Sequence, residues 1–334
     1  MVKEAEKEKI LELVEQLRVI QELFAQKFGV HDILSNSKIF EVLIANSLNH
    51  VLIPGHSGSR DAKNEKGEYE YKHYKESSSN HTWTFNDYTD YTISKLRTIE
   101  AVIFAHIKDG DGETLPEFDW YYYAPGKVVA DYLAKKTMPI KNTRKMINVG
   151  PRQVEEYMGI QKTMVDLSIC SAGPYNEWIV KIYNIAKQIE NISGTKGVLT
   201  SNKFWEVLTS LILGHTVLSE QAGHDATDSD GLFYEYKVAK SYSWNFQDIS
   251  EAVLKKYLND NKIILAVVNK DEFRVTDIYE ALPGNTIKIL KKKLTEKKKR
   301  FTKNGKKVRR LQVSLSKGDL AKIKAIKIYP KAKG

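Results

Sequence analysis

Residues 61 to 72 read DAKNEKGEYEYK, and three side chains in this stretch could do chemistry together: Asp61, Glu70 and Lys72. In an extended strand successive side chains alternate, so Glu70 and Lys72 share one face while Tyr69, Tyr71 and His73 take the other. An acid and a base then stand about 7 Å apart on one surface. A turn at Gly67 brings the preceding segment back alongside, so that the Asp61 carboxylate converges on that of Glu70. Two carboxylates beside an ammonium group could hold a hard divalent cation and orient or activate a water. Mg²⁺ suits such ligands, keeps several of its waters, and is commonly completed by substrate phosphate oxygens. Asp61 and Glu70 are the candidate metal ligands.

The same set occurs a second time. YEYK at 69 to 72 returns at 234 to 237, with Glu235 and Lys237 in the places of Glu70 and Lys72. Three acids precede it: Asp225, Asp228 and Asp230. Asp225 is the favoured ligand with Glu235, because Asp61-Ala62 and Asp225-Ala226 match within one residue of the common register, whereas Asp228 and Asp230 suit the turn. A lone Glu-x-Lys occurs on many solvated strand faces; its recurrence behind an Asp singles it out. Glu41 and Glu206 are a further candidate pair. Each lies on a helix among apolar neighbours (Phe40, Val42 and Leu43 around Glu41), where a carboxylate is costly unless a cation or base compensates it. The alternative is an acid in a helix first turn, favoured by the dipole.

The elements that must position these residues follow from periodicity. Helical spacing of Ile10, Leu13, Val14, Leu17, Ile20 and Phe24 predicts a helix over about 5 to 28, and a second is expected over 37 to 52. Ser59 to Ala62 and Glu68 to Lys75 are expected to form a hairpin, Asn86 to Thr98 a helix, and Ala101 to Lys108 a buried strand. The order recurs after a shift of 165: Lys38/Lys203, Glu41/Glu206, Leu48/Leu213 and His50/His215 align, as do Gly29 and Gly194. Trp83/Trp244, Pro125-Gly126/Pro283-Gly284 and INVG/LQVS (147 to 150 and 311 to 314) follow with small drifts. The fold class is α/β, a mixed sheet flanked by helices, present twice, with one copy over 1 to 165 and the other over 166 to 334. His50 and His215 are candidate ligands that more often suit packing or capping, Trp83 and Trp244 suit core or hinge packing more than base stacking, and DWYYYAPG at 119 to 126 suits a nucleic-acid contact or a half-buried strand equally.

The 334 residues suffice for two ordinary domains. No apolar run approaches the ~20 residues of a membrane helix, and Cys170 is the only cysteine, which excludes an internal disulfide and suits a reducing cytoplasm. The net charge is +10, and residues 291 to 310 hold twelve bases against one acid. That block is either a solvated loop or a polyanion contact. Its candidate DNA-binding residues are Lys297, Lys298, Lys299, Arg300, Lys306, Lys307, Arg309 and Arg310, with Lys75 and Lys240 as candidate phosphate contacts beside the two motifs.

Taken together, Asp61 with Glu70-Tyr71-Lys72, and Asp225 with Glu235-Tyr236-Lys237, resemble the PD-(D/E)xK nuclease superfamily, and within it the type II restriction endonucleases. The resemblance spans about 37 to 108 and 202 to 270, and Glu41 and Glu206 fall where many members carry an auxiliary helix acid. Arg60 and His224 replace the proline that names the motif. The resemblance implies a restriction-endonuclease-like core in each copy and Mg²⁺-dependent hydrolysis of phosphodiester bonds in double-stranded DNA. The carboxylates would bind metal, and Lys72 and Lys237 would position or deprotonate the attacking water. It further implies a monomer acting as a pseudo-dimer with one active site per DNA strand, no membrane association, and a cognate DNA methyltransferase in the host. A structure-directed repair or junction-resolving nuclease, and an inactive DNA-binding protein, are the alternative readings.

Overall fold

Helix α1 (Glu4–Phe28) forms where the apolar spacing requires it: Ile10, Leu13, Leu17 and Phe24 are buried. It ends at Gly29, whose φ of 68° is the left-handed conformation that favours glycine. Gly194 also has φ 68°, so this duplicated glycine pair marks two helix ends. The computed structural model describes residues 4–31, 33–34, 38–54, 60–110, 115–166, 172–199, 203–218, 223–247, 249–303 and 312–330. The chain divides into two compact units, Val19–Asn184 and a second made of Met1–Arg18 with Ile185–Gly334. Among the described residues, no helix is long and apolar enough to cross a membrane.

In the first unit α2 (Lys38–Ser47) precedes β1 (Val51–Leu52), β2 (Ala62–Asn64), β3 (Gly67–Lys75), β4 (Trp83–Tyr88), α3 (Asp90–Lys95), β5 (Ala101–Lys108), β6 (Glu117–Pro125), α4 (Gly126–Thr137), β7 (Lys145–Val149), α5 (Pro151–Met158) and β8 (Lys162–Met164). Helix α6 (Asn176–Ser193) begins in this unit and ends in the second. The second unit continues with α7 (Lys203–Leu213), β9 (Thr216–Val217), β10 (Ala226–Thr227), β11 (Phe233–Ala239), β12 (Ser243–Phe246), α8 (Glu251–Tyr257), β13 (Lys262–Asn269), β14 (Arg274–Ala281), α9 (Pro283–Lys303), β15 (Val313–Ser316) and β16 (Ile326–Tyr329).

Each unit carries a six-stranded mixed sheet, in the orders β1-β2-β3-β5-β6-β8 and β9-β10-β11-β13-β14-β16. The central pairs β3/β5 and β11/β13 are parallel, and their neighbours on either side are antiparallel. Strand β5 is buried along almost its whole length, as its unbroken apolar run demands. A smaller antiparallel pair, β4/β7 or β12/β15, covers one face of each sheet and inserts its tryptophan into the core. Trp83 and Trp244 are fully buried, and each indole N–H donates to a carbonyl of the central strand, Ala105 or Ala266, at 2.8 Å. This satisfies the one polar atom of a large buried ring.

Several boundaries differ from expectation. Helix α2 stops at Ser47 instead of reaching 52, because Asn49 turns with φ 53° and Val51-Leu52 are drawn into the sheet beside β2. The hairpin strand begins at Ala62, so Asp61 lies just before it, and the expected start at Ser59 lies outside the described residues. Asn86 to Tyr88 belong to β4, and the helix starts only at Asp90, where Thr89 and Thr92 form a reciprocal capping box. The strands opposite the tryptophans also pair two residues away from the sequence alignment. Val149 faces Trp83 and Leu315 faces Trp244, so INV corresponds to VSL, not LQV.

Candidate active site

Strand alternation aims Glu70 and Lys72 from β3 into the face covered by β4 and α3, and Glu235 and Lys237 from β11 into the equivalent face. Asp61 arrives from the turn before β2. Its N–H donates to Tyr69 O at 2.8 Å and its Oδ2 accepts from Tyr71 N–H at 2.7 Å. Asp225 repeats both bonds, with Tyr234 O at 3.0 Å and Tyr236 N–H at 2.7 Å. Asp228 does something else: it accepts from Asp230 N–H, Leu232 N–H and the Tyr234 hydroxyl, closing the turn. Its counterpart in the first unit is Asn64, which accepts from Lys66 N–H and the Tyr69 hydroxyl. An amide suffices there, which marks a turn position and leaves Asp225 as the equivalent of Asp61.

Glu70 is 4% exposed. Its Oε1 accepts from Lys72 Nζ and from the Tyr88 hydroxyl, the latter at 2.9 Å, while its buried Oε2 has no hydrogen-bond partner among the described residues. Lys72 Nζ also donates to Tyr71 O at 3.2 Å and sits over the rings of Phe85 and Tyr88, 5.4 and 5.9 Å from their centroids. The second unit reproduces this. Lys237 Nζ donates to Glu235 Oε1 and to Tyr236 O at 3.2 Å, over Phe246 and Tyr257 at 5.6 and 5.7 Å.

The helix acids join these clusters, and each has a cation one turn earlier: Lys38 pairs with Glu41, and Lys203 Nζ lies 2.7 Å from Glu206 Oε2. Burial, with repulsion from Glu41, raises the Asp61 pKa from 3.8 to about 6. Burial also raises Glu70, against the pull of Lys72. Glu235 is pushed by burial to about 7, and Asp225 and Asp260 add to the rise. Glu206 is raised by burial and by Asp225. Burial acts to lower Lys72 and Lys237, but the facing carboxylates outweigh it and hold both ammonium groups above their ordinary value.

The donor set is oxygen-only and carries more negative charge than the lysines neutralise locally. Among the described residues no three His, Cys, Asp or Glu side chains form a ready-made metal cage. Mg²⁺ does not require one, since one or two carboxylates plus waters and substrate phosphates are its usual shell. Asp61 and Glu70 fit that demand, and the unpartnered Glu70 Oε2 is a buried acceptor of the kind a hard cation satisfies.

The remaining candidates lie elsewhere. His50 and His215 bond Tyr71 and Tyr236 hydroxyls through Nδ1 at 2.8 Å, His50 stacks on Tyr69 while His215 lies tilted against Tyr234, and burial lowers both, His50 to about 4. They are packing groups. Lys75 ends β3 and pairs with Asp109 at 3.5 Å; Lys240 is exposed just beyond β11. At the motif's missing proline, Arg60 pairs with Glu68 and His224 with the buried Asp260. Lys297, Lys298, Lys299 and Arg300 lie on the last turns of α9, so this part of the basic block is helical, not a loop. Lys306, Lys307, Arg309 and Arg310 lie outside the described residues. Reading the sequence missed Lys38, Lys203, Tyr88, Tyr257, Phe85 and Phe246. The repeated Trp-x-Phe of β4 and β12 and the repeated Lys-x-x-Glu of α2 and α7 were the available signals.

Comparison of the chain with protein-family models and with curated protein sequences finds no match in either.

Proposed function

We propose that the chain is a Mg²⁺-dependent type II endodeoxyribonuclease with a restriction-endonuclease-like core in each unit, each core cutting one strand of a specific duplex sequence. The observation that carries this reading is the twofold recurrence, in buried surroundings, of an Asp, a Glu and a Lys with the same hydrogen bonds: Asp to the N–H preceding the lysine, Lys to Glu Oε1 and to the intervening carbonyl. Buried charges are costly, and a structural need alone would more cheaply be met by apolar packing. Asp61 with Glu70, and Asp225 with Glu235, would hold the cation, which when bound supplies charge to a phosphodiester oxygen and acidifies water. Lys72 and Lys237, kept as ammonium groups by Glu70 and Glu235, orient the attacking water through their Nζ–H donors and place positive charge beside the phosphate. Glu41 and Glu206 hold Asp61 and Asp225 in a shared negative field with Lys38 and Lys203 as counterions. The bases of α9 contact backbone phosphates, and a cognate DNA methyltransferase protects the host sequence.

The test is incubation of the full chain with supercoiled plasmid and Mg²⁺, with EDTA as control. Wild type is expected to linearise at fixed sites, and folded Lys72→Ala and Lys237→Ala variants to nick only. Full linearisation by either variant refutes one cut per unit, binding without cleavage refutes the enzyme, and cleavage without discrete bands points to a structure-directed nuclease.

A further inference from the structure

The hydroxyl bonded to Glu70 and the hydroxyl that faces Glu235 come from non-equivalent places in the chain. Trp83 and Trp244, the helix caps Thr89 and Ser250, and the matching bonds Glu100 N–H to Glu68 O and Asn261 N–H to Phe233 O fix the alignment of this segment without a gap. In that alignment Tyr88 of β4 corresponds to Ile249, and Tyr257 of α8 corresponds to Leu96. All four are buried in their cores. The phenol and the aliphatic side chain have exchanged positions between the units. Yet Tyr88 donates to Glu70 Oε1, the Tyr257 hydroxyl faces Glu235, and each ring lies within 6 Å of the motif lysine.

Core packing does not require a hydroxyl at either position, because each accepts an aliphatic residue in the other unit. What both units keep is a phenol hydroxyl beside the glutamate. With Lys72 Nζ and Tyr88 Oη both on Oε1, the carboxylate has one oxygen saturated and Oε2 left as the acceptor that remains.

We infer that Tyr88 is a positioning residue that holds Glu70 by one oxygen so that the other is presented to a divalent cation, and that Tyr257, facing Glu235 from its own position, serves the second site in the same way. The assignment rests on the cation reading of the site given above. Groups that orient a metal ligand commonly change metal affinity by about 10- to 100-fold when removed.

Free Mn²⁺, counted by electron paramagnetic resonance on the full chain, provides a readout separate from cleavage. Wild type is expected to bind at two sites. Tyr88→Phe should weaken one of them by about tenfold or more while keeping the ring, and Tyr257→Phe should weaken the other. The decisive variant moves the phenol: Tyr88→Ile with Leu96→Tyr should restore the affinity that Tyr88→Phe loses. A structural role alone would lower the melting temperature of Tyr88→Phe without weakening Mn²⁺. Unchanged affinity in both Phe variants overturns the assignment, as does a swap variant that melts like wild type but does not regain Mn²⁺. If the swap does not fold, the two Phe variants decide. If wild type binds no Mn²⁺, the cation reading fails and the assignment falls with it.

Discussion

Replacing Lys72 by Met removes the ammonium group that touches Glu70 while keeping a flexible apolar stem of similar length. The carboxylate it abandons has a side chain 5% exposed, and it retains a single donor, the Tyr88 hydroxyl. Breaking a buried pair from one side typically costs about 3–5 kcal/mol. Glu70 can limit that cost by taking a proton. For a carboxyl of ordinary pKa 4.5, neutralisation costs about 1.4 kcal/mol per pH unit, hence about 4 kcal/mol at pH 7.5 and under about 1 kcal/mol at pH 5. The sign follows from linkage. With its lysine gone, folded Glu70 has a pKa raised further above the unfolded value, so stability is fully present below pH 4.5 and is lost as pH rises toward the folded pKa. Urea unfolding followed by circular dichroism, comparing Lys72→Met with wild type at both pH values, should therefore give a loss of about 3–4 kcal/mol near pH 7.5 that shrinks to about 1 kcal/mol near pH 5. A loss of equal size at both values would mean that the cost is packing, and that Glu70 is not a stranded charge.

Three other outcomes are expected. A Cβ on Gly126 would lie 2.1 Å from Leu96 O, whereas one on Gly284, its counterpart, meets nothing within 4 Å; Gly126→Ala should cost about 2–3 kcal/mol or more and Gly284→Ala should change stability by less than about 1 kcal/mol, as thermal melts would report. Mg²⁺ should raise the melting temperature at pH 8 and lose that effect by pH 5, because protons claim Glu235 at about 7 and Asp61 at about 6 as pH falls; an equal gain at both pH values would exclude these carboxylates. Lys298, Lys299 and Arg300 are exposed on α9, whereas Lys297 donates to Gln312 O at 2.7 Å. Changing the four to Ser should lower the salt slope of duplex binding by up to about 3, from about 0.9 per phosphate contact, and an unchanged slope would remove α9 from the DNA contact.

How much could be read in advance depended on how local the determinant was. The Gly29 helix end, the buried strand at 101 to 108 and the shared face of Glu70 and Lys72 follow from residues within a few positions of one another, and they stand in the structure as read. Helix ends decided by sheet pairing were not legible. Val51-Leu52 continue an apolar pattern that looks helical, and only their partners Lys63 and Ala62, brought near by the hairpin, draw them into a strand. The candidate acids and lysines were visible because the duplication wrote them twice at one spacing. Tyr88 and Tyr257 were hidden for the opposite reason, since they perform one task from two unmatched positions. The pairing of Lys38 with Glu41 is a plain three-residue spacing of opposite charges, legible in the repeated Lys-x-x-Glu.

In the first unit the residues gathered at the candidate site all lie between Lys38 and Phe104, and in the second between Lys203 and Leu265. Closing such short loops costs little entropy, and pairings between near neighbours in the chain form fast. The charged cluster can therefore assemble within one contiguous stretch of nascent chain. Burial of its acids need not wait for the distant strands β7 and β8, or β15 and β16, to arrive.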